Sequence, residues 1–494
     1  MEKRFLISID QSTQGTKALL LGENGKLLYR CDLFHRQIVN EKGWVSHDPE
    51  EIYDNVVKVV RKLIEETKVL PDMIGGLSIS NQRETALTWN KESGEPFGYA
   101  VVWQCARGQE ITQSPEVMKH NSYIYERTGI PLSPYFPAAK IAWLLKNNPR
   151  SKALIKTGIL CAGTIDSWLI FKLTGKKEFK TDYSNASRTQ LFDIHTLKWN
   201  PKICSVFGIP EESLAQICDS DDIFGYTDIE GVLPEAVPIC GVMGDSHAAL
   251  FGQGCLKKGQ MKATYGTGTS VMMNIGKTAM HSENGLVTSI AWKYKNEISY
   301  VLEANLNYTG AVIRWLQKDV QLIANAGETD GLAKAANPND RTYLVPAFSG
   351  LGAPYWKSDV QAMICGISRT TGKAEIVKAA VESIGYQIAD VIFAMEKDMN
   401  APVERIRVDG GATKNEYLMQ FQSDLVRVGV EVPRAEELSG IGAGYMGGIA
   451  LGLYDAESLG VNITYTQYDV KQSEQSCRDK YAGWLNAVHK IITE

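Results

Sequence analysis

Short apolar runs separated by polar turns open the chain. Residues 5–10 (FLISID) form a β-rich apolar run, residues 11–15 (QSTQG) are polar and turn-prone, and residues 16–21 (TKALLL) form a second run. Asn24 and Gly25 then supply a tight-turn pair before residues 26–29. The pattern predicts a β-meander whose first turn is polar. A helix follows. Asp48 can cap it, Pro49 suits its first position, and Ile52, Val56, Val59, Val60 and Leu63 fall on one face at helical spacing. Residues 73–80 and 98–103 read as buried strands and residues 138–146 as a helix, an α/β pattern with mixed strand directions.

The pattern restarts near residue 240. Residues 237–243 (VPICGVM) are apolar and end at Gly244 and Asp245, a helix-like stretch covers 248–251, and residues 262–274 repeat the strand, polar turn, strand form of the opening. This predicts two similar halves facing each other, with a boundary near residues 250–258 and domains 1–253 and 254–494. No Pro-rich or low-complexity linker separates them, so they should pack closely across a cleft.

Composition narrows the function classes. A length of 494 residues favours two cores over one. Hydrophobic residues make up 44% and charged residues 22%, and the net charge of −5 gives no basic footprint for nucleic acid. No run of about eighteen apolar residues predicts a membrane span. The short apolar run at the start lacks the form of a signal peptide. Nine dispersed cysteines without a CxxC pair read as reduced thiols in a cytoplasmic protein.

Two nucleotide motifs need weighing. A P-loop pattern GxxxxGK[ST] does not occur. One GxGxxG run occurs at residues 442–447, but the preceding strand-like stretch, 430–433, lies well upstream. A dinucleotide fingerprint sits directly between strand and helix, so residues 440–452 read instead as a helix of small residues packed closely on a sheet. The turns at residues 10–15 (DQSTQG) and 265–269 (YGTGT) each offer hydroxyls and successive backbone N–H groups suited to phosphate. Singly, either is an ordinary hairpin. Together, with an aspartate ending a strand in each half, they suggest phosphate on one side and metal on the other.

Several long blocks in order carry a family likeness. They are YFPAAKIAWLLKN at 135–147, AMICGI at 362–367 followed by AAVE at 379–382, NQRE at 81–84, DYSNASR at 182–188, FSGLGAPYW at 348–356, and VDGGA at 408–412 with Asn415. From about residue 5 to 455 the chain resembles the FGGY carbohydrate kinases, and among them the glycerol kinases. The likeness implies two actin-like (RNase H-like) α/β domains, with mixed sheets flanked by helices and the active site in the interdomain cleft. The first domain would carry the acceptor site and a phosphate hairpin, the second the nucleotide site. It implies ATP-dependent phosphorylation of a hydroxyl of a small polyol or sugar, with Mg²⁺.

Residue roles follow motif by motif. Asp245 matches the general base, and Asp10 with Asp245 matches the metal carboxylates. Arg83, Glu84, Trp103 and Tyr135 match polyol-binding positions. Thr13, Gln14, Lys17, Thr267, Gly310, Arg314, Gly411 and Asn415 match the nucleotide side. Lys17 stands where glycerol kinases have arginine, and Arg314 where they have glutamine.

Departures gather on the acceptor side. Ser246 and His247 replace two glutamines, Ser270 replaces a phenylalanine, and Cys105 and Ala106 interrupt the block after Trp103. Ser246 and Ser270 widen the pocket and add hydroxyls, which favours an acceptor longer than glycerol. His247 can bond an extra hydroxyl or serve the structure. A plain glycerol kinase, and a non-catalytic sugar or nucleotide sensor on the same fold, are the competing readings. Residues 225–234 (GYTDIEGVLP) lack the basic loop through which bacterial glycerol kinases bind fructose bisphosphate. A homo-oligomer, dimer or tetramer, is expected.

Overall fold

The computed structural model describes residues 3–357, 359–455, 459 and 463–493. The first half builds a six-stranded sheet from β1 (Phe5–Gln11), β2 (Gly15–Leu21), β3 (Leu27–Phe34), β4 (Ile74–Asn81), β5 (Ile223–Thr227) and β6 (Val237–Gly244), in the order β5-β6-β4-β1-β2-β3. β1, β2 and β3 form an antiparallel meander, while β4 and β6 run parallel to β1. The β2–β3 turn puts Asn24 at φ 56° and Gly25 at φ 71°, the left-handed pair that the sequence predicts. α1 (Pro49–Thr67) starts at Asp48, whose carboxylate accepts from Glu50 N–H at 3.0 Å. α2 (Pro137–Asn147) follows, and α3 (Asp245–Gly252) begins where β6 ends.

The second half repeats the plan. Its sheet contains β7 (Met261–Tyr265), β8 (Thr269–Gly276), β9 (Val287–Tyr294), β10 (Glu297–Leu306), β11 (Arg405–Gly410), β12 (Gly429–Pro433) and β13 (Tyr465–Tyr468), in the order β9-β10-β8-β7-β11-β12-β13. Again a meander (β7, β8, β10) leads to parallel strands (β7, β11, β12) and an antiparallel edge. α4 (Gly310–Lys318), α5 (Lys373–Met399) and α6 (Glu416–Val426) belong to this half. Each half has its own apolar core.

α7 (Leu438–Ala450) carries the GxGxxG run and leaves the second sheet to pack on β1, β4, β6 and α3. A side chain at Gly442 would meet the Ala248 carbonyl oxygen at 1.8 Å, and one at Gly447 would meet Ser78 Oγ at 2.1 Å. The glycines therefore permit close packing of helix on helix and helix on sheet.

One expectation needs correction. Residues 98–103 are not a strand throughout, because only Ala100 and Val101 join a ladder. Trp103 N–H turns away to Thr85 Oγ1 at 3.2 Å, and that bond aims the indole at the cleft.

Candidate active site between the two sheets

Parallel pairing sets the level of the key carboxylates. Asp10 at the end of β1 lies beside Ser80 of β4, which lies beside Met243 of β6, two residues before Asp245. Ser80 Oγ donates to Asp10 Oδ1 at 3.1 Å. Burial raises the Asp10 carboxyl to about 6; Lys17 opposes this, while Glu437 and Asp245 add to it. Lys17 Nζ lies 3.7 Å from Asp10 Oδ2 and bonds Glu437, which also pairs with Arg30. Glu437 holds a left-handed backbone, φ 66°, at the start of α7. It was not foreseen from the sequence, and it fixes Lys17.

Asp245 opens α3. Arg83 Nε donates to its Oδ1 at 3.1 Å, and Ser246 N–H donates to the same oxygen at 2.6 Å. Arg83 Nη1 reaches Glu303 on β10 at 2.7 Å, and Nη2 reaches Ser246 Oγ at 3.2 Å. Glu84, at φ 60°, accepts from Arg188 Nε at 2.6 Å. Arg188 Nη1 lies 2.9 Å from Glu303 Oε2 as an ion pair, out of line for a hydrogen bond. Burial alone would raise Glu303, but Arg188 and Arg83 outweigh it and hold the carboxyl at about 2. The predicted pair Arg83 and Glu84 thus sits in a buried network that also needs Arg188 and Glu303, to which the sequence reading gave no role. The available signal was one acid inside the apolar strand EISYVLEANL.

The aromatic pair is assembled as expected. The rings of Trp103 and Tyr135 lie 5.7 Å apart, and Trp103 Nε1 donates to Thr13 Oγ1 at 2.9 Å. That bond ties the Trp103 ring to the hairpin between β1 and β2. Lys140, buried on α2, donates to the Tyr135 carbonyl and steadies the other ring. His247 is buried against Ser289 Oγ at 3.2 Å, and burial with nearby Arg83 keeps its imidazole neutral.

Among the residues expected on the nucleotide side, Thr267 and Gly310 meet: the Thr267 carbonyl accepts from Ala311 N–H at 3.0 Å, and Gly310 N–H donates to Gly266 O at 3.0 Å. A cavity of about 500 Å³ is lined by Asp10, Lys17, Asp409, Gly411 and Glu437 among others. Gln14 is exposed on its hairpin, and Arg314 is exposed on α4, away from this cavity. Asn415 caps α6 by accepting from Leu418 N–H at 2.8 Å, and its amide donates to Thr329 Oγ1 at 3.0 Å.

Comparison with known proteins gives the family and the fold. Residues 5–252 match the N-terminal domain, and residues 261–451 the C-terminal domain, of the FGGY family of carbohydrate kinases. Glycerol kinase 1 of Thermotoga maritima is 44% identical over 492 residues, 99% of this chain and 100% of that protein. A glycerol kinase of Natranaerobius thermophilus is 41% identical over 491 residues, 99% of each. The structure of Plasmodium falciparum glycerol kinase with ADP superposes with a TM-score of 0.92 at 33% identity, covering 99% of this chain and 98% of that one. A xylulose kinase from Lactobacillus acidophilus, 20% identical with a TM-score of 0.88 and covering 99% of this chain and 98% of its own, shares the fold. The chain belongs to the FGGY family of carbohydrate kinases and is an ATP-dependent, glycerol kinase-like enzyme.

Proposed function

We propose that the enzyme transfers the γ-phosphoryl group of MgATP to a hydroxyl of a small polyol or sugar longer than glycerol. The observation that carries this is the setting of Asp245. Both its hydrogen bonds fall on Oδ1, which leaves Oδ2 to accept the acceptor's proton. Phosphoryl transfer asks little covalent work of the protein and much positioning. Arg83 and Glu84 bind hydroxyls, Trp103 and Tyr135 cover the C–H side, and the hairpins at Thr13 and Thr267 hold phosphates. Gln14, Gly310, Gly411 and Asn415 complete the nucleotide side by their match to the family, Lys17 keeps the positive charge of the arginine it replaces, and Arg314, at the position of a glutamine, lies outside the cavity.

Asp10 and Asp245 supply hard oxygen donors, and among the described residues no group of three or more His, Cys, Asp or Glu could hold a metal alone. That donor set fits Mg²⁺, which takes one or two carboxylates and completes its shell with water and phosphates. When bound, the ion neutralises charge developing on the nucleotide. Asp10 and Asp245 would hold it, and Lys17, beside Asp10, would add a positive charge for the phosphates.

Ser246 and Ser270 support the longer acceptor. The intact set Arg83, Glu84, Trp103 and Tyr135 favours glycerol itself as the second reading. Nine unbridged cysteines, eight of them buried, support a reducing, cytoplasmic setting for what we take to be a homo-oligomer. The test is ADP release across glycerol, erythritol, pentitols and ketopentoses. The highest kcat/KM should fall on a four- to six-carbon acceptor, and a maximum on glycerol would make this a plain glycerol kinase.

A further inference from the structure

Beside Ser270 on the second sheet stand two polar side chains that have no role so far, Lys262 and Asn305. Lys262 lies on β7, Ser270 on β8 and Asn305 on β10. Thr264 pairs with Ser270, and Ser270 pairs with Asn305. Lys262 and Thr264 are two apart on one strand, as are Glu303 and Asn305 on another. All therefore share the sheet face from which Glu303 reaches Arg83.

Their hydrogen bonding is incomplete. Lys262 is fully buried, yet among the described residues its ammonium donates only to Thr264 Oγ1 at 2.9 Å and, at 3.5 Å, to Ser270 Oγ. An ammonium has three N–H groups, and a buried one is costly without acceptors. Asn305 donates to Tyr135 Oη at 3.4 Å and to Glu303 Oε1 at 3.2 Å. Among the described residues its carbonyl oxygen accepts nothing. A large apolar residue at position 270 would wall this group off, and serine leaves it open.

We propose that Lys262, Ser270 and Asn305 form a distal hydroxyl subsite, so that the acceptor is a neutral polyol or ketose extending past the three carbons held by Arg83, Glu84, Trp103 and Tyr135. This rests on the longer-acceptor reading given above. The Ser270–Asn305 pair lies two residues along the strands from Met272–Glu303, about 7 Å at strand spacing, and Asn305 touches Tyr135 Oη, so the group borders the acceptor site on the side of the second sheet. Lys262 and Ser270 donate to the distal hydroxyl, and the Asn305 carbonyl accepts from it. Neutrality follows from charge. Arg83, Arg188, Lys140 and Lys262 are balanced one for one by Glu84, Asp245, Glu303 and Asp409, so an anionic acceptor would bring a charge for which this group holds no spare cation.

The test measures kcat and KM by ADP release for glycerol, erythritol, xylitol and the anion erythronate, with the full chain and with Asn305→Ala, Lys262→Met and Ser270→Phe. Each variant should lower kcat/KM for the preferred longer polyol about 10–200-fold, at least tenfold more than for glycerol, and mainly through KM. Should Lys262→Met fail to fold, the half-buried Asn305→Ala carries the same comparison, with circular dichroism to confirm its fold. Equal losses on glycerol and longer polyols, while the wild type still prefers the longer ones, would overturn the subsite and leave the longer-acceptor reading standing. A wild type that prefers glycerol overturns both. A wild type that prefers erythronate overturns the neutral acceptor.

Discussion

Asp245 and Asp10 are both carboxylates at strand ends, but their surroundings give them different work. Asp245 is one-third exposed and held on one oxygen by Arg83, so its other oxygen is free for proton transfer. Asp245→Asn keeps the shape and removes the carboxylate proposed as the base. Turnover should fall about 10²–10⁴-fold, while nucleotide binding measured by equilibrium dialysis persists; near-normal turnover would remove Asp245 from the role. Asp10 is buried, and burial first of all raises its carboxyl from 3.8 to about 6. Holding a metal needs the ionised form, so kcat/KM for MgATP should fall about tenfold per unit below pH 6 through this single group. Stability runs the other way. A raised carboxyl stabilises the fold when protonated, fully below pH 3.8, and that contribution is lost as pH rises through about 6. Asp10→Asn should therefore be more stable than wild type above pH 6, by on the order of 3 kcal/mol, with the gap closing in acid. A urea titration at several pH values reads this, and a pH-independent gap would sink it.

At the scale of elements, α7 decides how firmly α3 is held, and α3 begins with Asp245. The Gly442 position touches the Ala248 carbonyl on α3. Gly442→Ala puts a methyl where a backbone oxygen stands, so one helix must shift. Overpacking of this kind costs about 1–3 kcal/mol, and the shift should also lower kcat because it moves Asp245, the proposed base. Urea unfolding and turnover measured together check this, and an unchanged midpoint would contradict the packing. The same helix shows what was legible in the sequence. Local chemistry was readable: the Asp48 cap, the Asn24–Gly25 turn, both polar hairpins, and glycines that suit close packing better than a nucleotide. Tertiary redirection was not readable. Trp103 leaves the ladder for a hydroxyl on Thr85, eighteen residues earlier in the chain, and Glu303 meets Arg83 across a separation of 220 residues. No periodicity encodes either contact. A charge inside an apolar strand was the one hint.

At the scale of the whole molecule, regulation and cohesion rest on charge. The stretch from 225 to 234 presents Asp228 and Glu230 with no basic residue, and Glu230 accepts from Tyr53 Oη at 2.8 Å. A bisphosphate would be repelled there, so fructose bisphosphate at physiological concentration should leave initial rates unchanged; dose-dependent inhibition would reveal another anion site. The two halves are themselves joined by charge, because Glu303 of the second sheet sits between Arg83 and Arg188 of the first half. The pairing matters more for what its loss would leave than for its net strength. Glu303→Gln strands two buried guanidiniums facing each other, and breaking one partner of a buried ion network costs about 3–5 kcal/mol. The sign with pH follows from the carboxyl. Its value is lowered from 4.5 to about 2, chiefly by Arg188 and Arg83 against the effect of burial. The stability it contributes is therefore present above pH 4.5 and lost as pH falls towards 2. Urea unfolding should show the Glu303→Gln deficit in full at pH 7 and narrowing below pH 4.5. The acceptor site should weaken in step, since Arg83 then loses the carboxylate that aims it at Asp245. A deficit below about 1 kcal/mol at pH 7 would mean that apolar contacts such as α7 on the first sheet, rather than this triad, hold the halves together.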